Sequence, residues 1–181
     1  TPDLGGCSSS SFSSNSITIR DINQTQQNAF YITGSPVSTA CREALVNVVW
    51  VIASSGVKNT INANTLTKRT SNGNWDGNGF SYQSVANNGY MQTTVVETNK
   101  SRMIGLSATD VNSNFTSIQF AFYLINTGSL RIYESGTNRG TYGTYATGDV
   151  LKIAVENNVV KYYKNGTLLM TSSATPTLPL Y

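Results

Sequence analysis

The chain has 181 residues, 12 % of them charged, and its net charge of +3 comes from 12 basic and 9 acidic side chains. That length suits one domain of ordinary size with residues to spare, and ten Tyr among many β-branched residues exclude a disordered polymer. The basic residues are scattered, with Lys68-Arg69 the densest pair, which argues against nucleic acid as a partner, and no apolar run is long enough for a membrane-spanning helix.

Residues 1–45 read as an N-terminal extension. Residues 1–16 are turn-rich, with Gly5-Gly6 and a Ser-rich run, and two short strands are expected at Ile17–Arg20 and Ala29–Thr33. A Gly34-Ser35-Pro36 turn precedes Thr39–Leu45, the one stretch that reads as a helical turn. Cys7 and Cys41 are the only cysteines. In an extracellular setting they pair and tie the extension into a loop; two free thiols are the alternative. With no histidine in the chain, they do not complete a structural zinc shell.

From Val46 to Tyr181 strands dominate. They are expected at Val46–Ala53, Val57–Ile61, Thr65–Lys68, Phe80–Val85, Gly89–Glu97, Arg102–Ser107, Ser117–Ile125, Leu130–Glu134, Val150–Val155, Val159–Lys164 and Leu168–Thr171. Leu45–Ala53 reads as a buried strand. In Ser117–Ile125, Ile118, Phe120, Phe122 and Leu124 share one face, and Gln119, Ala121, Tyr123 and Ile125 the other. A strand apolar on both faces belongs inside a sandwich or under a covered groove. Asn157-Asn158 and Asn165-Gly166 tolerate the positive φ of tight hairpins, so the last third is an antiparallel meander. Many short strands and almost no helix predict an all-β, two-sheet antiparallel sandwich of jelly-roll type.

Five segments stand in order along the chain: Asn74-Trp75-Asp76-Gly77-Asn78-Gly79-Phe80, Arg102-Met103-Ile104-Gly105-Leu106-Ser107, Ile132-Tyr133-Glu134-Ser135-Gly136, Gly143-Thr144-Tyr145-Ala146-Thr147-Gly148-Asp149 and Tyr162-Tyr163-Lys164-Asn165-Gly166. On these residues 46–181 resemble the concanavalin A-like lectin/glucanase jelly-roll module of bacterial secreted and surface proteins. The resemblance implies a secreted or cell-surface location and a glycan or cell-surface polysaccharide as partner. Modules of this kind usually continue past Pro176–Tyr181 with further strands, so the domain is expected to be C-terminally incomplete or finished by a neighbouring subunit. Residues 1–45 have no counterpart in it. The start at Thr1, without a signal-peptide pattern, fits a processed mature protein or an excised fragment.

Catalytic signals are sparse. Retaining glucanases of this fold class carry closely spaced carboxylates on one strand, whereas Glu43, Glu97, Glu134 and Glu156 stand apart. The missing histidine removes the usual nucleophilic triads, and no Tyr–Arg pair of the lyase kind is readable. Asp110, Asn112 and Asn114 alternate like ligands of a calcium loop, but Phe115 and Ala121 stand where its glycine and closing glutamate belong; a polar turn is the competing reading, and calcium is the one cofactor in view. The strongest binding candidate is Trp75 flanked by Asn74 and Asp76, because sugar rings stack on a flat aromatic face and bond to amides and carboxylates around it. The alternative folds Trp75 inward to plug the sandwich. Arg139, Tyr142 and Tyr145 are expected on a neighbouring loop.

The resemblance, more than any single motif, implies a non-catalytic extracellular carbohydrate-binding or adhesion module of a larger bacterial surface or secreted protein. A structural stalk or filament subunit completed by strand exchange is the first alternative, and a glycan-active enzyme the second. An exposed Trp75 beside a cleft favours binding; a buried one favours assembly.

Overall fold

A strand that alternates apolar and polar residues leaves one apolar face to be covered, and two sheets facing each other cover both. The computed structural model describes residues 47–51, 59–62, 64–68, 75, 77–109 and 114–181, all within one compact unit, Asn47–Tyr181. The expectations for residues 1–45, including the Cys7–Cys41 pair, lie outside the described residues, as do Asn74, Asp76, Asp110 and Asn112.

The described strands are β1 (Trp50–Val51), β2 (Asn59–Asn62), β3 (Thr65–Lys68), β4 (Phe80–Ser81), β5 (Gly89–Thr94), β6 (Arg102–Leu106), β7 (Phe120–Leu124), β8 (Ser129–Glu134), β9 (Thr137–Thr144), β10 (Val150–Glu156), β11 (Val159–Lys164) and β12 (Thr167–Thr171). Two four-stranded antiparallel sheets, in the orders β12-β11-β10-β5 and β6-β7-β8-β9, stack as a β-sandwich; β1 pairs with β4 and β2 with β3. Among the described residues the only helical element is a 3-10 turn, Phe115–Ser117, capped by the Asn114 side chain.

The inner faces supply the core. Leu106, Phe122, Leu124, Leu130 and Ile132 of one sheet pack with Leu151, Ile153, Val155, Val160 and Tyr162 of the other. Phe122 and Tyr162 meet edge-to-face across the gap, with ring centroids 5.4 Å apart. Glu134, 3 % exposed, is the charged exception in this interior. It is held at both oxygens: the Tyr162 hydroxyl donates to Oε1 at 3.2 Å and Arg139 Nε to Oε2 at 2.9 Å. Burial first, and the Glu134 carboxylate beside it second, push the Tyr162 hydroxyl far above its ordinary value, so it remains a donor.

Three hairpins turn on residues with positive φ at both central positions: Ser135-Gly136, Asn157-Asn158 and Asn165-Gly166. That conformation matches the right-handed twist of the strands they join. The two crossovers between sheets, residues 95–101 and 145–149, are tied to each other. Val95 N–H donates to the Asp149 carbonyl and Gly148 N–H to the Val95 carbonyl, each at 2.8 Å. At the C-terminus, Leu180 is fully buried and pairs with Val85, while Tyr181 exchanges backbone bonds with Ser107.

Three strand expectations need correction. Thr137–Thr144 is a strand rather than a loop; it has few apolar residues, and Gly140 (φ 131°) and Gly143 (φ 82°) interrupt its pleat at the register shifts of β8–β9 pairing. Arg139 and Tyr142 therefore belong to β9. The strand expected from Ser117 begins at Phe120, after the 3-10 turn, so Ile118 does not continue the inner-face row. In the segment expected as a buried strand, Val49 is exposed and Trp50 and Val51 are half-buried.

Two outcomes follow. Glu134→Ala leaves the Tyr162 hydroxyl without its acceptor and lowers unfolding free energy by about 3 kcal/mol, whereas Glu97→Ala, which removes the surface pair with Arg102, costs about 1 kcal/mol or less; urea unfolding of both variants checks this contrast. Asp149 has its carboxyl held below the ordinary range by the Asn165 side chain first and the Ala146 N–H second. A carboxyl depressed in the folded state stabilises above its unfolded value and loses that contribution as pH falls through the folded one. Wild-type stability should thus fall on acidification below the ordinary carboxylate range, and the fall should be shallower in Asp149→Asn; equal slopes in urea titrations would refute this.

Candidate binding site: an aromatic groove on the outer face

The strands that bury Phe122 and Ile132 must turn the alternate side chains outward. Register places the outer face of β6–β9 in two cross-strand rows: Met103, Tyr123, Arg131 and Thr141 in one, and Gly105, Ala121, Tyr133 and Asn138 in the other. The segment after the 3-10 turn packs over the second row. A Cβ on Gly105 would overlap the Phe120 carbonyl oxygen and crowd the Ile118 side chain, so no larger residue fits there. Ala121 is consequently fully buried although it faces outward.

Over this face the aromatic rings form a chain of edge-to-face contacts. Trp75 meets Tyr123 at 5.6 Å between centroids, Tyr123 meets Tyr133 at 5.7 Å, and Tyr133 meets Phe115 at 6.1 Å, with interplanar angles of 69°, 80° and 81°. Each such contact adds about 0.5–1.5 kcal/mol beyond buried area and so favours this mutual arrangement of the rings. These four rings, with Met103 and Asn114, line an open groove of about 500 Å³. Trp75 is 51 % exposed there. Among the described residues no charged side chain lines the groove. The described lining offers apolar ring surface, a thioether and one amide, which is a surface for stacking.

Of the residues singled out in the sequence, Trp75 and Asn114 reach this groove. The Asn114 side chain also caps the 3-10 turn, accepting from the Thr116 N–H at 3.1 Å. Arg139 is on β9 with its Nε on the buried carboxylate of Glu134. Tyr142 is half-buried against the core. Tyr145 is 4 % exposed, and its hydroxyl donates to the carbonyls of Ile125 (2.8 Å) and Thr98 (3.3 Å), pinning one crossover to the other. Burial raises the Tyr145 pKa. It borders a separate shallow hollow formed with Thr98, Asn126 and Thr147. The structure therefore does not bring Arg139, Tyr142 and Tyr145 together with Trp75 in one groove.

The described glutamates are engaged elsewhere. Glu97 pairs with Arg102, Glu134 with Arg139, and Glu156 with Lys161 at 2.7 Å and the Tyr163 hydroxyl at 2.9 Å. The Lys161 hydrogen bond, the largest cause, holds the Glu156 carboxyl below its ordinary range. Lys152 Nζ sits over the Tyr163 ring at 4.5 Å and the Tyr90 ring at 5.1 Å, so the outer face of the second sheet is a network of internally matched charges. Among the described residues no group of three or more His, Cys, Asp or Glu side chains is placed to hold a metal ion.

Phe115, Tyr123, Tyr133 and Met103 were not singled out as site residues from sequence. The available signal was the doubly apolar character of Ser117–Ile125, in which Tyr123 falls on the face opposite Phe122. No protein-family model, curated protein or solved structure matches the chain.

Proposed function

We propose that this chain is a non-catalytic extracellular carbohydrate-binding or adhesion module, and that its glycan site is the aromatic groove on the outer face of β6–β9. The observation that carries the reading is Trp75, half-exposed at the mouth of the groove and braced by the ring of Tyr123. Sugar rings present faces of C–H groups that stack on such an indole, and a braced indole loses little freedom on binding. The described lining, four rings with a thioether and an amide, suits a ligand recognised by shape and stacking. A jelly-roll topology of the concanavalin A-like kind belongs to the same proposal. Its support is the pairing of β5 with the distant β10, and the two crossovers that carry the chain between sheets.

The test is a glycan-array screen of the folded protein, with and without calcium, beside a Trp75→Ala variant. Wild type should bind a defined set of glycans, and the variant should lose about tenfold or more in affinity while its thermal unfolding is little changed. Silence of the folded wild type across the array would overturn this reading and favour a stalk or filament subunit instead.

A further inference from the structure

The four rings over the groove divide by position. Trp75 and Phe115 end the chain of edge-to-face contacts and are 51 % and 40 % exposed. Tyr123 and Tyr133 stand between them, half-buried, each with a neighbouring ring on two sides. Those contacts take up much of the apolar surface of the two middle rings, so what they keep for a ligand is the polar tip, the phenol hydroxyl. Elsewhere the tyrosine hydroxyls are committed to the fold: Tyr162 to Glu134, Tyr163 to Glu156, and Tyr145 to the Ile125 and Thr98 carbonyls. Among the described residues the hydroxyls of Tyr123 and Tyr133 have no hydrogen-bond partner. The buried side-chain atom left without a partner among those residues is Arg131 Nε, so neither phenol oxygen is buried. Both are open to solvent on side chains that line the groove.

A phenol hydroxyl both donates and accepts, as a sugar hydroxyl does. Two of them on braced rings, with centroids 5.7 Å apart, form a preorganised polar pair beside the Trp75 stacking face. We propose that Tyr123 and Tyr133 set the specificity of the groove, their hydroxyls bonding to neighbouring hydroxyls of a pyranose whose face stacks on Trp75. This inference rests on the glycan reading of the groove and adds to it the residues that read the hydroxyl pattern. Stacking responds to the apolar face of the sugar, whereas a directed hydrogen bond responds to the position of a single hydroxyl. An epimer that turns that hydroxyl away leaves a phenol without its partner and is bound more weakly.

The experiment places the full chain, Tyr123→Phe and Tyr133→Phe on one array of gluco-, manno-, galacto- and xylo-oligosaccharides, with calorimetric titration of the best-retained member and of its epimer. Wild type should prefer one epimer by about tenfold or more, and each variant should bind that epimer about three- to tenfold more weakly while its affinity for the other is unchanged. Because neither hydroxyl has a partner in the fold, both variants should melt at the wild-type temperature; a markedly lower melt would show the hydroxyl engaged in the fold and overturns the inference. Unchanged affinity in either variant, or a loss equal for both epimers, overturns it and leaves the glycan reading intact. A wild type that holds both epimers equally does the same. Silence of the folded wild type across the array overturns the glycan reading, and this inference falls with it.

Discussion

The two-residue period of the extended backbone governs both the core and the candidate site. On β7 and β8, Phe122, Leu124, Leu130 and Ile132 must face the second sheet to fill the sandwich. That requirement alone sends Tyr123, Arg131 and Tyr133 to the other side. A one-residue slip in either strand would expose the core and bury the guanidinium. Register is therefore set by several buried apolar side chains, and the outer rows inherit their positions. The aromatic groove needs no separate folding energy for its placement; it is the reverse face of the best-packed strands.

Several contacts keep the two sheets in one relation. The Glu134 carboxylate joins Arg139 of its own sheet to Tyr162 of the other, spanning the apolar gap with a polar contact whose directions are fixed. A buried carboxylate is tolerated where its hydrogen bonds are met, and Glu134 accepts a bond at each oxygen. Tyr145 acts at the opposite end of β8, tying its own crossover to the other at the Thr98 carbonyl and to the Ile125 carbonyl just past β7. With the sheets and crossovers fixed, Tyr123 and Tyr133 offer fixed ring surfaces on which Trp75 and Phe115 rest.

Much of the architecture was legible in the sequence, because it is written in local signals. Asn157-Asn158 and Asn165-Gly166 name their turns, and the alternation of β10 and β11 gives their faces. β9 was not legible: its Gly140 and Gly143 read as loop residues, and its pairing depends on β8 rather than on its own composition. The candidate site was half legible. Trp75 drew attention as an indole among Asn and Gly, but its partners come from residues 103, 115, 123 and 133, and only the sheet register brings those positions together. Arg139 and Tyr145 misled for the opposite reason. Polar tips make such residues read as ligand contacts, and nothing local reveals that Glu134 and the crossover carbonyls already occupy them.

The central claim, that the outer face of β6–β9 is a ligand surface, is most directly tested by the indole N–H signals in a nitrogen–proton correlation spectrum. The chain has two tryptophans. Trp50 donates its indole N–H to the Asn64 carbonyl at 2.8 Å and is not among the groove-lining residues, so it serves as an internal control. On titration with an oligosaccharide that the protein retains, the Trp75 indole signal should move saturably while that of Trp50 stays in place. Saturable binding that leaves Trp75 unmoved, with shifts gathered instead on β10 and β11, would contradict the account.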